Sequence, residues 1–176
     1  MPLIQRWVGA VALGAFCALL AWQVTLAMVP RALMAYAVDR VERQSGGINR
    51  FAHAPLVTAQ ARTIVRPSPD LLYSSCAFDV SRAPLLIDAV PVAAPYWSLS
   101  VFDAQTDAVF VANNQAGMAP LRLAVTGPGQ RAPAGYRAVP VSAARGIALV
   151  RILIDRTQPI GAIDAARRAT RCRPAR

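Results

Sequence analysis

The polar residues best placed to carry chemistry are Asp70, Tyr73, Asp103, Asp107, Asn113 and Asn114. All lie at or beside turns between β-type runs, and they are expected to gather at one end of the domain. Asp70 follows Pro69, where a carboxylate can bond nearby backbone N–H groups, and Asp103 and Asp107 flank a second turn in the same way. A hard cation needs several converging oxygen ligands, so Asp103-x-x-x-Asp107 alone does not build a metal site. His53 is the only histidine. That excludes His-rich zinc sites and leaves a Ser-His-Asp triad only if His53 serves. Standing before Pro55 in an irregular stretch, it reads as a surface residue. Gly127-Pro128-Gly129 lacks the strand-to-helix setting of a phosphate loop. No cofactor is expected. Two function classes follow. One is a module that binds a partner protein or envelope component without chemistry. The other is a hydrolase or carbohydrate-active domain using carboxylates such as Asp70 and Asp103. The first is favoured, because the chain offers no activated nucleophile and no acid–base pair.

The elements that must position these residues begin with composition. A chain of 176 residues holds one modest domain. Charged residues make up 16 %, below the roughly 25 % usual in soluble chains. The deficit is local to the first thirty residues. The formal charge is +10, and every basic residue is Arg. Such a bias beside abundant Ala points to a GC-rich genome, although Arg is also the better phosphate ligand. The arginines scatter from Arg50 to Arg156 and bunch only at the end (Arg167, Arg168, Arg171, Arg173, Arg176). They read as a solvated or lipid-facing tail, and nucleic acid is not the expected partner.

Val8 to Val29 is an uncharged run of 22 residues. At about 1.5 Å per residue it reaches roughly 33 Å, enough to cross a hydrocarbon core of about 30 Å. Residues 1–30 are therefore expected to form a transmembrane anchor in the inner membrane. The competing reading is a signal peptide cleaved after Thr25-Leu26-Ala27. Residues 31–57 read as a juxtamembrane amphipathic helix and linker. Leu33, Met34, Ala37, Val38 and Val41 form one stripe, Asp39 and Arg43 stand at i,i+4, and Gly46-Gly47 ends the helix. Arginine counts near the span favour a cytoplasmic domain, and signal-like N-termini favour export.

From residue 58 to 176 short β-type runs replace the helical period. They are Ala59–Val65, Leu72–Val80, Leu85–Val90, Tyr96–Phe102, Ala108–Ala112, Leu121–Thr126, Arg137–Val141 and Ile147–Ile154, divided by Pro and Gly. Connections this short predict a mainly β domain, an antiparallel β-sandwich or jelly-roll-like fold. Alternation puts Trp97, Leu99 and Val101 on one face, with Tyr96, Ser98, Ser100 and Phe102 on the other. A C-terminal helix closes the chain. Thr157 or Gln158 can cap it, Ile160 and Ile163 face the core, and Asp164 pairs with Arg168 by spacing.

Arg66-Pro67-Ser68-Pro69-Asp70-Leu71-Leu72-Tyr73-Ser74, then Phe78-Asp79-Val80-Ser81, then Tyr96-Trp97-Ser98-Leu99-Ser100-Val101-Phe102-Asp103 with Thr106-Asp107 resembles the bacterial domain of unknown function 1254 family. Longer relatives carry an Asn-Arg-Asp-Thr-like sequence where this chain has Ser68-Pro69-Asp70-Leu71. The resemblance implies an exported β-rich protein on the periplasmic side of a single-pass anchor. It also implies a companion protein carrying domain of unknown function 1214, and no established activity. In an oxidising compartment Cys76 and Cys172 are expected to pair, with Cys17 sequestered in the membrane. Two independent thiols remain the alternative.

Overall fold

A computed structural model describes residues 2–56, 67–117, 119–155 and 159–175. The run Ala59–Val65 and the capping candidates Thr157 and Gln158 lie outside the described residues.

The chain opens with one helix, α1 (Pro2–Ser45), 44 residues long and therefore about 66 Å. Pro30 lies inside it, so the boundary expected at residue 30 is not a break in the helix. Lacking an N–H, Pro30 leaves the Leu26 carbonyl without its intrahelical donor. One residue on, Arg31 Nη1 donates back to the Ala27 carbonyl. The helix ends where glycine permits it. Gly46 takes a φ of 71°, and Gly47 N–H donates to the Glu42 carbonyl at 3.0 Å, the six-to-one bond of a Schellman close.

Among the described residues, nine strands and a second helix follow. They are β1 (Arg50–His53), β2 (Leu71–Asp79), β3 (Leu85–Ala89), β4 (Trp97–Phe102), β5 (Ala108–Asn113), β6 (Leu121–Thr126), β7 (Arg137–Pro140), β8 (Arg145–Leu153), α2 (Ile160–Arg167) and β9 (Arg171–Pro174). The strands form two sheets, ordered β1-β2-β8-β4-β5 and β7-β6-β3-β9. Three expectations need correction. Arg50–His53, read as linker, is an edge strand paired antiparallel to β2. The last helix stops at Arg167, and Cys172 sits in a strand beside β3. The sheets are not wholly antiparallel, because β6 and β7 run parallel.

One apolar core lies between the sheets. Leu72, Cys76, Phe78, Trp97, Leu99, Val101, Val150 and Ile152 from the five-stranded sheet meet Leu85, Ile87, Leu123, Val125 and Val139 from the other. The alternation of β4 holds: Trp97, Leu99 and Val101 join this core, while Phe102 packs on the opposite face. There a second, smaller cluster receives α1. Met34 and Val38 are buried against Ala77 and Ile147, with Ala37, Val41, Ile48 and Phe102 around them. Leu33, placed on the same stripe by its spacing, is instead exposed. Nor is Asp39 oriented to Arg43; its nearest cation is Arg145 at 3.8 Å. Arg145 Nη2 also meets Glu42 at 2.8 Å, which links helix to sheet.

Asn49 makes the join between helix and strand. Its positive φ of 61° is one that Asn tolerates better than most residues. Its side chain accepts from the Asp79 N–H at 2.9 Å and donates to the Asp79 carbonyl at 3.2 Å. At the other end of the docked segment, Gln105 bridges the β4–β5 turn to the helix. With its nitrogen toward Asp103 Oδ2 at 3.2 Å, its oxygen accepts from Arg31 Nη2 at 3.2 Å. The docked part of α1 therefore crosses the five-stranded sheet from the β5 side to the β1 side.

Candidate functional site

The six polar residues do not form one cluster. Asp70, Tyr73, Asn113 and Asn114 belong to one end of the five-stranded sheet, where Tyr73, Arg151, Ser98 and Asn113 are successive cross-strand partners. Asp103 and Asp107 belong to the opposite end, beyond Phe102 and Ile147. Asn113 and Asp107 are six residues apart along β5, about 20 Å.

Most of these side chains are occupied by turn architecture. Asp103, 5 % exposed, accepts at Oδ1 from the Gln105 and Asp107 N–H groups at 2.9 and 3.0 Å. Between them Thr106 takes a positive φ of 71°. Asn113 caps a short 3₁₀ turn by accepting from Gln115 N–H, and Asn114 accepts from Trp97 N–H and donates to the Ala94 carbonyl. The Tyr73 hydroxyl accepts from Ser68 N–H at 3.1 Å. Asp70 is exposed, and its own N–H goes to Ser68 Oγ. A glycosidase-type pair needs two carboxyl groups about 5–9.5 Å apart. Asp70 and Asp103 are separated by nearly the length of the sheet.

A different polar assembly forms where β1, β2 and α2 meet. His53, expected on the surface, is a half-buried strand residue opposite Ser74. Its Nδ1 lies 2.9 Å from Ser74 Oγ. Arg167 of α2, only 2 % exposed, donates from Nη1 to the Tyr73 carbonyl at 2.7 Å. From Nη2 it donates to the Ala54 carbonyl at 2.8 Å, and its Nε meets Asp164 at 2.6 Å. Burial, then the charges of Arg167 and Arg168, lower the His53 pKa from its ordinary 6.5, against a smaller opposing effect of Asp164. This is not a nucleophile and its base. Ser74 is 1 % exposed, and the neighbour that orients the pair is a cation.

Outside this assembly a cleft of about 260 Å³ opens between the edge strands β1 and β9. β1 contributes Arg50, Phe51 and His53; the chain after α2 contributes Arg168, Thr170, Arg171, Cys172 and Arg173. Arg167, Arg168, Arg171 and Arg173, read as part of a solvated or lipid-facing tail, are thus folded into the domain. Asp164 is shared by Arg167 and Arg168, while Asp88 is shared by Arg122 and Arg173. Among the described residues neither Arg50 nor Arg171 is ion-paired with a carboxylate, although Arg171 stands opposite Asp88 in the β3–β9 ladder, where Asp88 pairs with Arg122 and Arg173. No group of three or more His, Cys, Asp or Glu able to hold a metal occurs among the described residues. What the cleft can do is attract and grip negative charge. Sequence reasoning missed it because Arg50 and Arg168 are 118 positions apart, and no local pattern links them.

Behind the cleft, Cys76 Sγ and Cys172 Sγ are bonded at 2.08 Å, joining β2 to β9. Cys17 is free and exposed on the apolar part of α1.

No curated protein matches the chain. Among solved structures, the VPA0106 protein from Vibrio parahaemolyticus is similar, with a TM-score of 0.59 and 15 % identity. The alignment covers 86 % of this chain and 38 % of that one. An uncharacterized protein from Burkholderia cenocepacia has a TM-score of 0.50 at 14 % identity, covering 78 % of this chain and 37 % of its own. This chain thus spans less than two-fifths of either protein, and at these identities the likeness is one of fold. The family model described as "Protein of unknown function (DUF1254)" matches residues 48–174, from the residue before Asn49 to the last residue of β9. On that match, the chain belongs to the DUF1254 family.

Proposed function

We propose that the protein is a membrane-anchored binding or assembly module of the bacterial envelope. In this reading the two sheets act as a β-sandwich on the periplasmic face of the inner membrane. The observation that carries it is the contrast within α1. Val11, Phe16, Leu19 and Trp22 are each more than 60 % exposed, whereas Met34 and Val38 of the same helix are buried on the sheet. Leaving so much apolar surface in water is strongly unfavourable, at about 25 cal/mol per Å². A bilayer around residues 8–29 removes that penalty, and the stretch has the length to cross one.

Arg31 stands two residues after Val29 and holds Gln105. The β4–β5 turn would then face the bilayer, with β1 on the far side of the domain. The periplasmic assignment rests on the family resemblance, as does a companion carrying domain of unknown function 1214. Alkaline carbonate extraction of membranes, with intact-mass analysis of the retained chain, tests the anchor. We expect the full-length chain in the pellet; a mature N-terminus at Met28 in the soluble fraction would remove it. A C-terminal reporter active only in the cytoplasm would reverse the orientation.

A further inference from the structure

The basic cleft has the size, charge and position of a binding site for a small, multiply charged ligand. Among the described residues four arginines line it (Arg50, Arg168, Arg171 and Arg173), and the carboxylates that pair with arginines beside it are Asp88, with Arg122 and Arg173, and Asp164, with Arg167 and Arg168. Each carboxylate is thus already divided between two arginines. The surplus falls on Arg50 and Arg171, which approach the cleft from different sheets and are both exposed. With no carboxylate among the described residues that line the cleft, an oxyanion there would supply its arginines with charge-assisted hydrogen bonds. A volume of about 260 Å³ lies just below the usual range for small-molecule pockets, which suits a compact anion. The floor is stiff, since Cys172 is bonded to Cys76 and the Thr170 hydroxyl accepts from Val90 N–H at 3.2 Å.

Position decides the source of the anion. β1 is four strand spacings from β5, about 19 Å, and Ser45 is about 21 Å along α1 from Arg31. On the anchored reading proposed above, the cleft therefore stands about 20 Å from the bilayer surface. That is more than twice the Debye length of about 8 Å at physiological salt, so the headgroup charge of the anchoring membrane is screened there. We propose that the cleft between β1 and β9 binds a multivalent oxyanion, of the pyrophosphate or polycarboxylate class, carried by a soluble molecule rather than by the membrane that anchors the protein.

The test is calorimetric titration of inorganic pyrophosphate, then citrate, into the full-length protein in neutral phosphatidylcholine nanodiscs. We expect saturable binding that weakens with added salt. Arg50→Gln with Arg171→Gln should lower affinity about tenfold, with an unchanged melting temperature, because neither side chain supports the fold. Arg131→Gln, remote from the cleft, should bind as the parent does. Equal affinity in the double variant, or no saturation with either anion up to millimolar concentration, overturns the proposal. So does binding that depends on the two arginines only when the discs contain phosphatidylglycerol. Retention of the protein in the discs is scored separately and tests the anchor, so the two readings fail by different measurements.

Discussion

Arg167 donates from Nη2 to the carbonyl of Ala54, 113 residues earlier in the chain, at 2.8 Å. The same guanidinium holds the Tyr73 carbonyl and the Asp164 carboxylate, so one buried side chain closes the end of the domain where α2, β1 and β2 converge. Arg167→Ala would strand two carbonyls and leave Asp164 to Arg168 alone, and a loss of about 3 kcal/mol is expected. Arg167→Lys should recover little, since an ammonium cannot reproduce the planar fork. Arg168→Ala, at an exposed pair, should cost less than about 1 kcal/mol. Urea denaturation of the three variants separates these outcomes.

Gly146 opens the buried part of β8 opposite Phe78. A Cβ there would collide with the Phe102 backbone oxygen and with the Phe78 ring. The ring can shift; the backbone oxygen belongs to the adjacent strand β4 and cannot easily do so. Gly146→Ala is expected to destabilise by about 1–3 kcal/mol through overpacking. Gly161→Ala, where nothing lies within 4 Å, serves as control and should be neutral or stabilising. Melting temperatures measured side by side decide it.

Acid should weaken the fold in two windows. In the folded state His53 has its pKa lowered from 6.5, chiefly by burial and next by Arg167 and Arg168. Its contribution is complete above pH 6.5 and is lost as pH falls through the lower folded value. Asp164 is held below its ordinary 3.8 first by the hydrogen bond from Arg168, against partial burial, and then by Arg167. Its contribution is present above pH 3.8 and goes only as pH falls through a lower value. His53→Asn should flatten the stability profile between pH 7 and 5 and leave the steeper decline below pH 4. Chemical denaturation at stepped pH provides the profile.

The Cys76–Cys172 bridge spans 96 residues of sequence. The chain-entropy model places its contribution near 4–5 kcal/mol as an upper figure. Cys76→Ser with Cys172→Ser should lower the melting temperature, and reductant should bring the parent protein toward the variant. Peptide mapping without reductant should find the two cysteines joined and Cys17 free. Alkylation of all three would refute the bridge.

What was legible in the sequence follows from where each signal resides. Buried strands such as β4 and β8 announce themselves through local apolar alternation, and α1 through its uncharged run. Edge strands do not. Arg50-Phe51-Ala52-His53 ends near Pro55, and Arg171-Cys172-Arg173-Pro174 offers one apolar position among charges. Both become strands because a neighbour supplies the hydrogen bonds, β2 in one case and β3 in the other. The candidate site suffered from the same limit. Asp103 lies in a turn and Asn113 caps one, as their types suggested, but which turns share an end depends on strand order. His53 became half-buried only through pairing with Ser74 across 21 residues.

The place of β9 beside β3 also sets an order of events while the chain is being made. β3 is complete at Ala89, yet its partner on one side, β9, is synthesised about 80 residues later. At roughly 5–20 residues per second that interval is on the order of 4–16 s. β2 likewise waits for β8. The strands that carry Leu85, Ile87, Leu72 and Phe78 therefore keep one unpaired edge until β9 and β8 have been made. Premature termination anywhere before Arg171 thus yields not a smaller domain but an unclosed one, with sticky sheet edges suited to chaperones, proteases or aggregates.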